Sequence, residues 1–500
     1  MSGPLISRRA MLAAAPALML AAKARAAANE ITIVQGTDAT SMDPAFRGDT
    51  VTGNVQRHVY DTLLVRNPDL TIAPGLVESL EGSNGTDWVL HLRKGVTFSN
   101  GEPFDAAAVK FSIDRVQNPA LKSPIRGWWL PFKTVEAVDP HTVKITTATR
   151  DPLFQARLSL FAPVPPKYVA EVGDTTFAQK PVGTGRYLLK EWRRNDSVVC
   201  VPNPSYWGGK AAFSKVTFRV VPEEMSRVAA LMSGEADVIS NLSPSQAEYL
   251  RSQSGMQVAQ TPSTRVMAIQ FDSSMPPGDN QKFREAVACG INQDEIIKGL
   301  LRGFGTPVTS LLSPAIPGWP RDKNYTTPFD PKKAAALVRQ AGLEKAEVLM
   351  RTPAGGFPND REVALAIGAQ LGRVGLNVKV RPDEYGRFFS DLKDHKVSPL
   401  YYNGQGNIWL DPYPQLEAFH KSNGFLSTWK DPELDTILAR SFEVTGAERE
   451  AVFGQALDRI ATTVAAVPVY AQVLIFGIRG DIEWQPRSDE QVLAFEMRRK

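Results

Sequence analysis

The sequence predicts an α/β protein, on three observations. Short strands and helices alternate along the chain with Gly or Pro between them, no fixed-period repeat is present, and 43% hydrophobic content over 500 residues supplies a large core. Ile31 to Val34 reads as an opening buried strand. Met225 to Met232 reads as a helix, stopped at Gly234 and followed by a strand from Ala236 to Ile239. Asp330 and Pro331 have the residue types of an N-cap and first-turn proline, for a helix ending near Gly342. Asn359 and Asp360 can cap another, with Val363, Ile367, Leu371 and Val374 on one face. Gly375 stops that helix, and the strand alternation of Asn377 to Val380 follows.

The N-terminus reads as an export signal. Ser7, Arg8 and Arg9 precede a charge-free apolar stretch from Ala10 to Ala22, and small residues ending in Ala26, Ala27 and Ala28 follow. The stretch is too short to cross a hydrocarbon layer of about 30 Å, so residues 1–28 are expected to be cleaved, with a mature start between Ala27 and Asn29. The paired arginines, an apolar residue and Leu12 resemble a twin-arginine signal. No cysteine lies near the cleavage point, which argues against a lipid anchor and for a protein free in the periplasm.

The whole chain carries a formal charge of +4, but Arg8, Arg9, Lys23 and Arg25 all lie in that leader, which has no acidic residue. The remainder is neutral. Composition therefore makes no case for nucleic acid or an anionic membrane surface. The two cysteines, Cys200 and Cys289, stand outside any metal or redox spacing, and burial as separate thiols is the expectation, one disulfide the alternative. The five histidines, His58, His91, His141, His395 and His420, show no catalytic or metal-ligand spacing. A nucleophile elbow, a zincin helix, a phosphate loop and a dinucleotide fingerprint are all missing. No enzyme, metal or cofactor is expected, although serines and carboxylates can converge in space. A secreted hydrolase with such a cryptic site, or a periplasmic helper that binds unfolded chains, is the alternative.

WVLHLRKGVTFSNGEPF from Trp88, followed by DAAAVKFSIDRV, has a clear physical grammar. Trp88, Leu90 and Leu92 alternate on a strand, Asn100 and Gly101 turn, and Asp105 caps a helix burying Val109, Ile113 and Val116. The same segment closely resembles the signature of the extracellular solute-binding proteins of the peptide, opine and nickel importers, bacterial solute-binding protein family 5. Further matches follow in register: Ser41 to Pro44, VYDTLLVRNPDLTIAPGLVESLE from Val59, Pro181 to Gly185, NPSYWGG from Asn203, RVAALMSGEADVI from Arg227, KFREAVACGINQDEII from Lys282 and DPELDTIL from Asp431. The resemblance covers about residues 30–480.

It implies a two-lobe periplasmic clamshell with an additional subdomain on the first lobe. Mapped onto this chain, the first lobe comprises residues 29–65, 181–262 and the return of 473–500. The subdomain is 66–180 and the second lobe 263–472. The implied function is capture of a small solute, as a monomer, for delivery to the membrane permease of an ATP-driven importer. Carried over residue by residue, the loop holding Thr37 and Asp38 approaches ligand from the first lobe. Tyr402, Asn403, Gln405, Trp409 and Asp411 belong to the second-lobe cleft loop, with Asp411 also a natural turn starter before Pro412. Peptide-binding relatives often place an acidic residue just before that Asp-Pro; here Ile408 stands there, which weakens a peptide reading. Arg351 matches an arginine that meets a ligand carboxylate in some peptide binders, and suggests an acidic or strongly polar ligand. Trp128, Trp409 and Tyr470 are expected stacking surfaces, with packing inside the subdomain as the alternative for Trp128.

Overall fold

The computed structural model describes residues 29–47, 49–83 and 85–500; the expected export signal lies outside them. Among the described residues no helix is long and apolar enough to cross a membrane. An 11-stranded sheet runs through both lobes. Its order from the second-lobe edge is Asn377–Glu384, Glu347–Ala354, Leu400–Gln405, Met256–Phe271, Ala466–Arg479, Val238–Ile239, Glu30–Gln35, Lys215–Val220, Ser197–Pro202 and Tyr187–Arg193. Gly305–Thr306 pairs beside Ala466–Arg479. Glu30–Gln35 runs parallel to Lys215–Val220 and Val238–Ile239, and Glu347–Ala354 parallel to both its neighbours, so each lobe has a parallel centre. Parallel strands covered on both faces read as continuous apolar runs, which is how Ile31 to Val34 reads.

Two strands cross from lobe to lobe. Met256–Phe271 and Ala466–Arg479 pair antiparallel along most of their length, the first continuing onto Leu400–Gln405 and the second onto Val238–Ile239. Their register breaks twice near the junction, between Met267 and Ala268 and, more widely, between Pro262 and Val266. Pro262 faces Val473 and Val266 faces Ala471, so Ser263, Thr264 and Arg265 stand opposite the single Gln472. Extra residues of this kind bend and twist a ladder locally.

Local grammar holds at the expected positions. Asp105 accepts from Ala108 N at 2.9 Å and opens the helix Ala106–Gln117, which buries Val109, Ile113 and Val116. Asp330 caps Pro331–Gln340, and Gly342 follows at φ 69°. At Asp360–Arg373 the capping differs from expectation. Asn359 takes a left-handed conformation without a capping bond, and the Asp360 carboxylate accepts from the amides of Gly356 and Phe357 at 3.0 and 3.1 Å.

The cores divide the chain. A four-stranded sheet of Val77–Ser83, Asp87–Leu92, Phe132–Asp139 and Thr142–Thr147 packs on Ala106–Gln117, with a core drawing on Leu63 through Phe161. Val164, Val169 and Phe177 join the first-lobe core instead. Val492, Ala494 and Met497 of the tail enter the same first-lobe core. Cys200 is buried in the first lobe and Cys289 in the second, both as free thiols.

His58 is sealed between the tail and the helix Thr50–Val59. Its Nδ1–H donates to Asn54 O at 2.8 Å and its Nε2 accepts from Ala494 N at 3.0 Å, an arrangement only the neutral ring satisfies. Burial pushes its pKa down to about 4, and that of fully enclosed His420 to about 3. Both folded values lie below the unfolded one near 6.5, so the stabilisation is complete above pH 6.5. It drains away on acidification toward pH 4, as the unfolded chain binds protons that the native state refuses. We expect thermal stability to fall across that window. His58→Gln with His420→Gln should flatten the decline, checked by melting temperature against pH; parallel slopes for the two proteins would contradict it.

Candidate functional site

The lobes and the subdomain meet at a seam beside the register break. From the start of the subdomain, the Arg66 guanidinium donates to the carbonyls of Ile408 and Trp409 in the second-lobe loop, the latter at 3.1 Å. Subdomain Trp128 packs edge-on against Trp409, ring centroids 4.9 Å apart, and the Arg157 guanidinium lies 5.3 Å from the same indole. Arg150 donates to Glu443 O at 3.2 Å, and Leu153 of the subdomain enters a second-lobe apolar cluster. A cavity of about 410 Å³ lies along this boundary, with Arg66, Trp88 and Phe154 on one wall and Trp409, Leu410 and Asp411 on the other.

Beside the strand break the seam is organised by Glu490. Its carboxylate accepts from Ser263 Oγ at 2.9 Å, from Arg265 Nε and Nη2 at 3.2 and 3.1 Å, and from Thr50 Oγ1 at 3.4 Å. One side chain of the tail thereby ties the strand break to the start of the first-lobe helix. Its backbone sits at φ 65°, a conformation disfavoured for a residue with a Cβ. Gly404 and Gly406 make the slot for Arg265: a Cβ at Gly406 would come within 2.8 Å of the guanidinium, and one at Gly404 within 2.9 Å of its Cδ. Phe357 covers the guanidinium face at 5.0 Å. Burial alone would lower the pKa of Arg265, but Glu490 outweighs it and raises the net value.

The expected residues separate into two groups. Trp128, Trp409 and Asp411 stand at the seam, the first two half-buried. Asp411 is nonetheless committed internally, accepting from Tyr413 N at 2.9 Å and from both Arg449 terminal nitrogens at 2.5 and 3.0 Å. Thr37 is exposed on the first-lobe loop, while Asp38 beside it is bonded to Trp192 Nε1 and Asn195 N. Tyr402 and Tyr470 lie in the second-lobe core with hydroxyls 3.1 Å apart, and burial holds both phenols above their ordinary pKa. Asn403 is fully enclosed and accepts from Gln270 at 2.5 Å; Gln405 is enclosed with His420 and Gln415.

Arg351 was expected at a ligand carboxylate, and its surroundings differ. Only 1% of the residue is exposed, and its guanidinium is spent on Asp383, on Asp391 at 2.6 Å and on the carbonyls of Lys396 and Val397. These bonds close the second-lobe edge and hold the Asp391 carboxyl below its ordinary pKa. Sequence reasoning missed Arg66, Arg265 and Glu490. Arginine and glutamate in unremarkable local contexts carry no pattern, and only the fold brings Arg66 to the loop of Ile408 and Trp409 and Arg265 to Glu490. The sole available cue was the pair of glycines flanking Gln405, which mark a close approach by another group.

Comparison with known proteins places this architecture. The family model of bacterial extracellular solute-binding proteins, family 5 (middle), matches residues 71–427. The chain belongs to that family. It is thus a solute-binding protein of the kind that serves ATP-driven importers. Among curated relatives it is similar to the glutathione-binding protein GsiB of Pectobacterium atrosepticum, 28% identical over 477 residues and 92% of each chain. The Escherichia coli K12 GsiB is 27% identical over 94% of each. Among solved structures, DppA of Helicobacter pylori in complex with the peptide STSA superposes with TM-score 0.83 at 24% identity, covering 94% of this chain and 98% of that one. A dipeptide-binding protein of Pseudoalteromonas in complex with Met-Leu gives 0.84 at 22% identity, covering 94% and 100%. Both have the two-lobe architecture. The matched relatives are binding proteins rather than enzymes.

Arg351→Ala leaves two carboxylates, one 9% and one 30% exposed, without their cation. Breaking a buried pair costs on the order of 3 kcal/mol. We therefore expect a clear loss in denaturant midpoint with ligand affinity changed less than about threefold, and Arg351→Lys to fall between, read by urea unfolding beside titration calorimetry. Retained stability with lost affinity would reverse the assignment.

Proposed function

We propose that this family member works in the periplasm, exported by the twin-arginine route and freed of its leader, and that it delivers a small peptide-like solute as a monomer to its permease. The observation that carries the reading is a seam to which both halves contribute. Trp128 and Arg66 on one side engage the loop of Ile408 and Trp409 on the other, beside a cavity of about 410 Å³. That volume lies within the usual range of about 300–1,000 Å³ for small-molecule sites. A ligand gripped from two sides stabilises the closed arrangement over the open one, and a shift from about 1:99 to 99:1 needs roughly 5.5 kcal/mol of preference. A patch on one lobe has no such leverage.

Similarity to proteins that bind glutathione supports a short peptide or peptide conjugate as the ligand class. Within the seam, Trp409 and Trp128 form the apolar contact, and Thr37 approaches from the first-lobe loop. Arg351, Asp411, Tyr402 and Tyr470 hold the scaffold around them.

The test is native mass spectrometry of the purified mature protein, then thermal-shift screening with glutathione, di- and tripeptides, opines and metal chelates. A ligand at a hundredfold excess over Kd adds about 2.7 kcal/mol to stability, so a true one raises the melting temperature clearly. Trp409→Ala should weaken that ligand at least about tenfold, the scale of a central aromatic contact. Recovery of a hydrolysed product would favour a secreted hydrolase. Weak, indiscriminate binding of unfolded chains would favour a folding helper.

A further inference from the structure

Arg265 stands at the strand break with only part of its guanidinium committed. Its side edge, Nε and Nη2, donates to the Glu490 carboxylate at 3.2 and 3.1 Å. The end edge runs from Nη1 to the second hydrogen of Nη2. Nη1 donates to no described residue and is not enclosed, and 20% of the side chain is exposed. Glu490 itself is saturated, because Ser263, Thr50 and Arg265 use both of its oxygens. The carboxylate therefore holds the guanidinium by one edge and leaves the other open.

The orientation of that open edge is set by its surroundings. The Gly406 backbone passes so close that a Cβ there would lie 2.8 Å from Cζ, Nη1 and Nη2 alike, and one at Gly404 would lie 2.9 Å from Cδ. The Phe357 ring centroid is 5.0 Å from Cζ, Tyr385 packs on Phe357 at 6.0 Å, and Phe389 backs Tyr385 at 4.8 Å. Tyr385 ends this row with 42% of its surface exposed. Trp409 follows Gly406 along the same loop, at most about 11 Å away by chain length. The open edge of Arg265 and the Trp409 indole are thus within the reach of one short peptide.

Resting on the solute-binding reading above, we propose that the Nη1 edge of Arg265 receives a carboxylate of the peptide-like ligand, with Tyr385 as the apolar wall beside it. Paired N–H groups on one guanidinium edge match the two oxygens of a carboxylate, and such charge-assisted bonds are about twice as strong as neutral ones. Arg351 cannot fill this role, since Asp383 and Asp391 of its own lobe already occupy it. A donor fixed in its slot before binding loses little freedom when the ligand arrives. Because Arg265 lies in the register break, the bond that recognises the ligand is made at the junction of the lobes.

The experiment is calorimetric titration of wild type, Arg265→Lys, Glu490→Gln and Gly406→Ala with glutathione and Met-Leu, as free acids and as the corresponding carboxamides. Wild type should bind the acid of an accepted probe at least about tenfold tighter than the amide. Arg265→Lys keeps a cation for Glu490 but has no second edge, and should cut that ratio to within about threefold. Gly406→Ala crowds the guanidinium and should cut it as well. Glu490→Gln leaves the guanidinium without its counter-charge, so the acid should bind tighter and the ratio rise. A merely structural Arg265 would shift acid and amide together, and an unchanged ratio in Arg265→Lys overturns the proposal. So does a ratio in Glu490→Gln no higher than in wild type. Should Arg265→Lys fail to fold, Gly406→Ala and Glu490→Gln decide by the same ratios. If wild type binds none of the acids or amides, the peptide-like reading fails and the anchor with it, whereas binding without preference for the acid defeats the anchor alone.

Discussion

The pairing of Met256–Phe271 with Ala466–Arg479 is the constraint on which the rest of the structure depends. These two strands carry the sheet from one lobe to the other, each lobe keeps its own parallel centre, and a hinge between them is expected where the ladder is irregular at the lobe junction. That place is Ser263 to Arg265 opposite Gln472. Hinges are short segments that absorb dihedral change between packed bodies, and a stretch already out of register loses few ladder bonds when it moves. The segment is held by side chains instead, chiefly by Glu490, whose bonds reach Ser263, Arg265 and Thr50.

Charge dominates the seam. Arg66, Arg265 and Arg487 stand along it, Arg487 donating to Arg66 O and Arg265 paired to Glu490, in a chain whose remainder, without its leader, is neutral. Burial makes each expensive unless it is paired, and the structure pairs them unevenly. Arg487 is saturated and Arg265 has its own carboxylate, whereas Arg66 donates to backbone carbonyls of the opposing loop. Backbone carbonyls are available only while the lobes are together. This arrangement therefore has a polar component of its own, beside the edge-on packing of Trp128 against Trp409, and separation of the lobes would lose both.

Much of this architecture was legible in the sequence because short-range chemistry dictates it. Asp105, Asp330 and Asp431 open helices through their own neighbours, and Gly234, Gly342 and Gly375 follow the ends of the helices Glu224–Ser233, Pro331–Gln340 and Asp360–Arg373 at positive φ, so these elements show in any window of a dozen residues. The helix opened by Asp411 and Pro412 was locatable from its turn chemistry, and Trp409 just before it packs against Trp128. The roles of individual side chains were not legible. Whether Arg351 meets a ligand or Asp383 depends on the neighbouring strand at Asn377–Glu384, and whether Tyr470 faces the cleft or Tyr402 depends on a register shift between Met267 and Ala268. Glu490 acts on residues more than two hundred positions away, a relation that no local pattern encodes.

The central claim is that ligand binding closes two rigid lobes about the strand break at Ser263 to Arg265. The most direct measurement is single-molecule energy transfer between dyes on exposed sites, one pair spanning the lobes and one within the second lobe, with and without saturating ligand. The account predicts that ligand moves the inter-lobe pair from a longer, broader distribution to a single shorter one, while the intra-lobe distance stays fixed. An unchanged inter-lobe distance, or equal changes in both pairs, would contradict it.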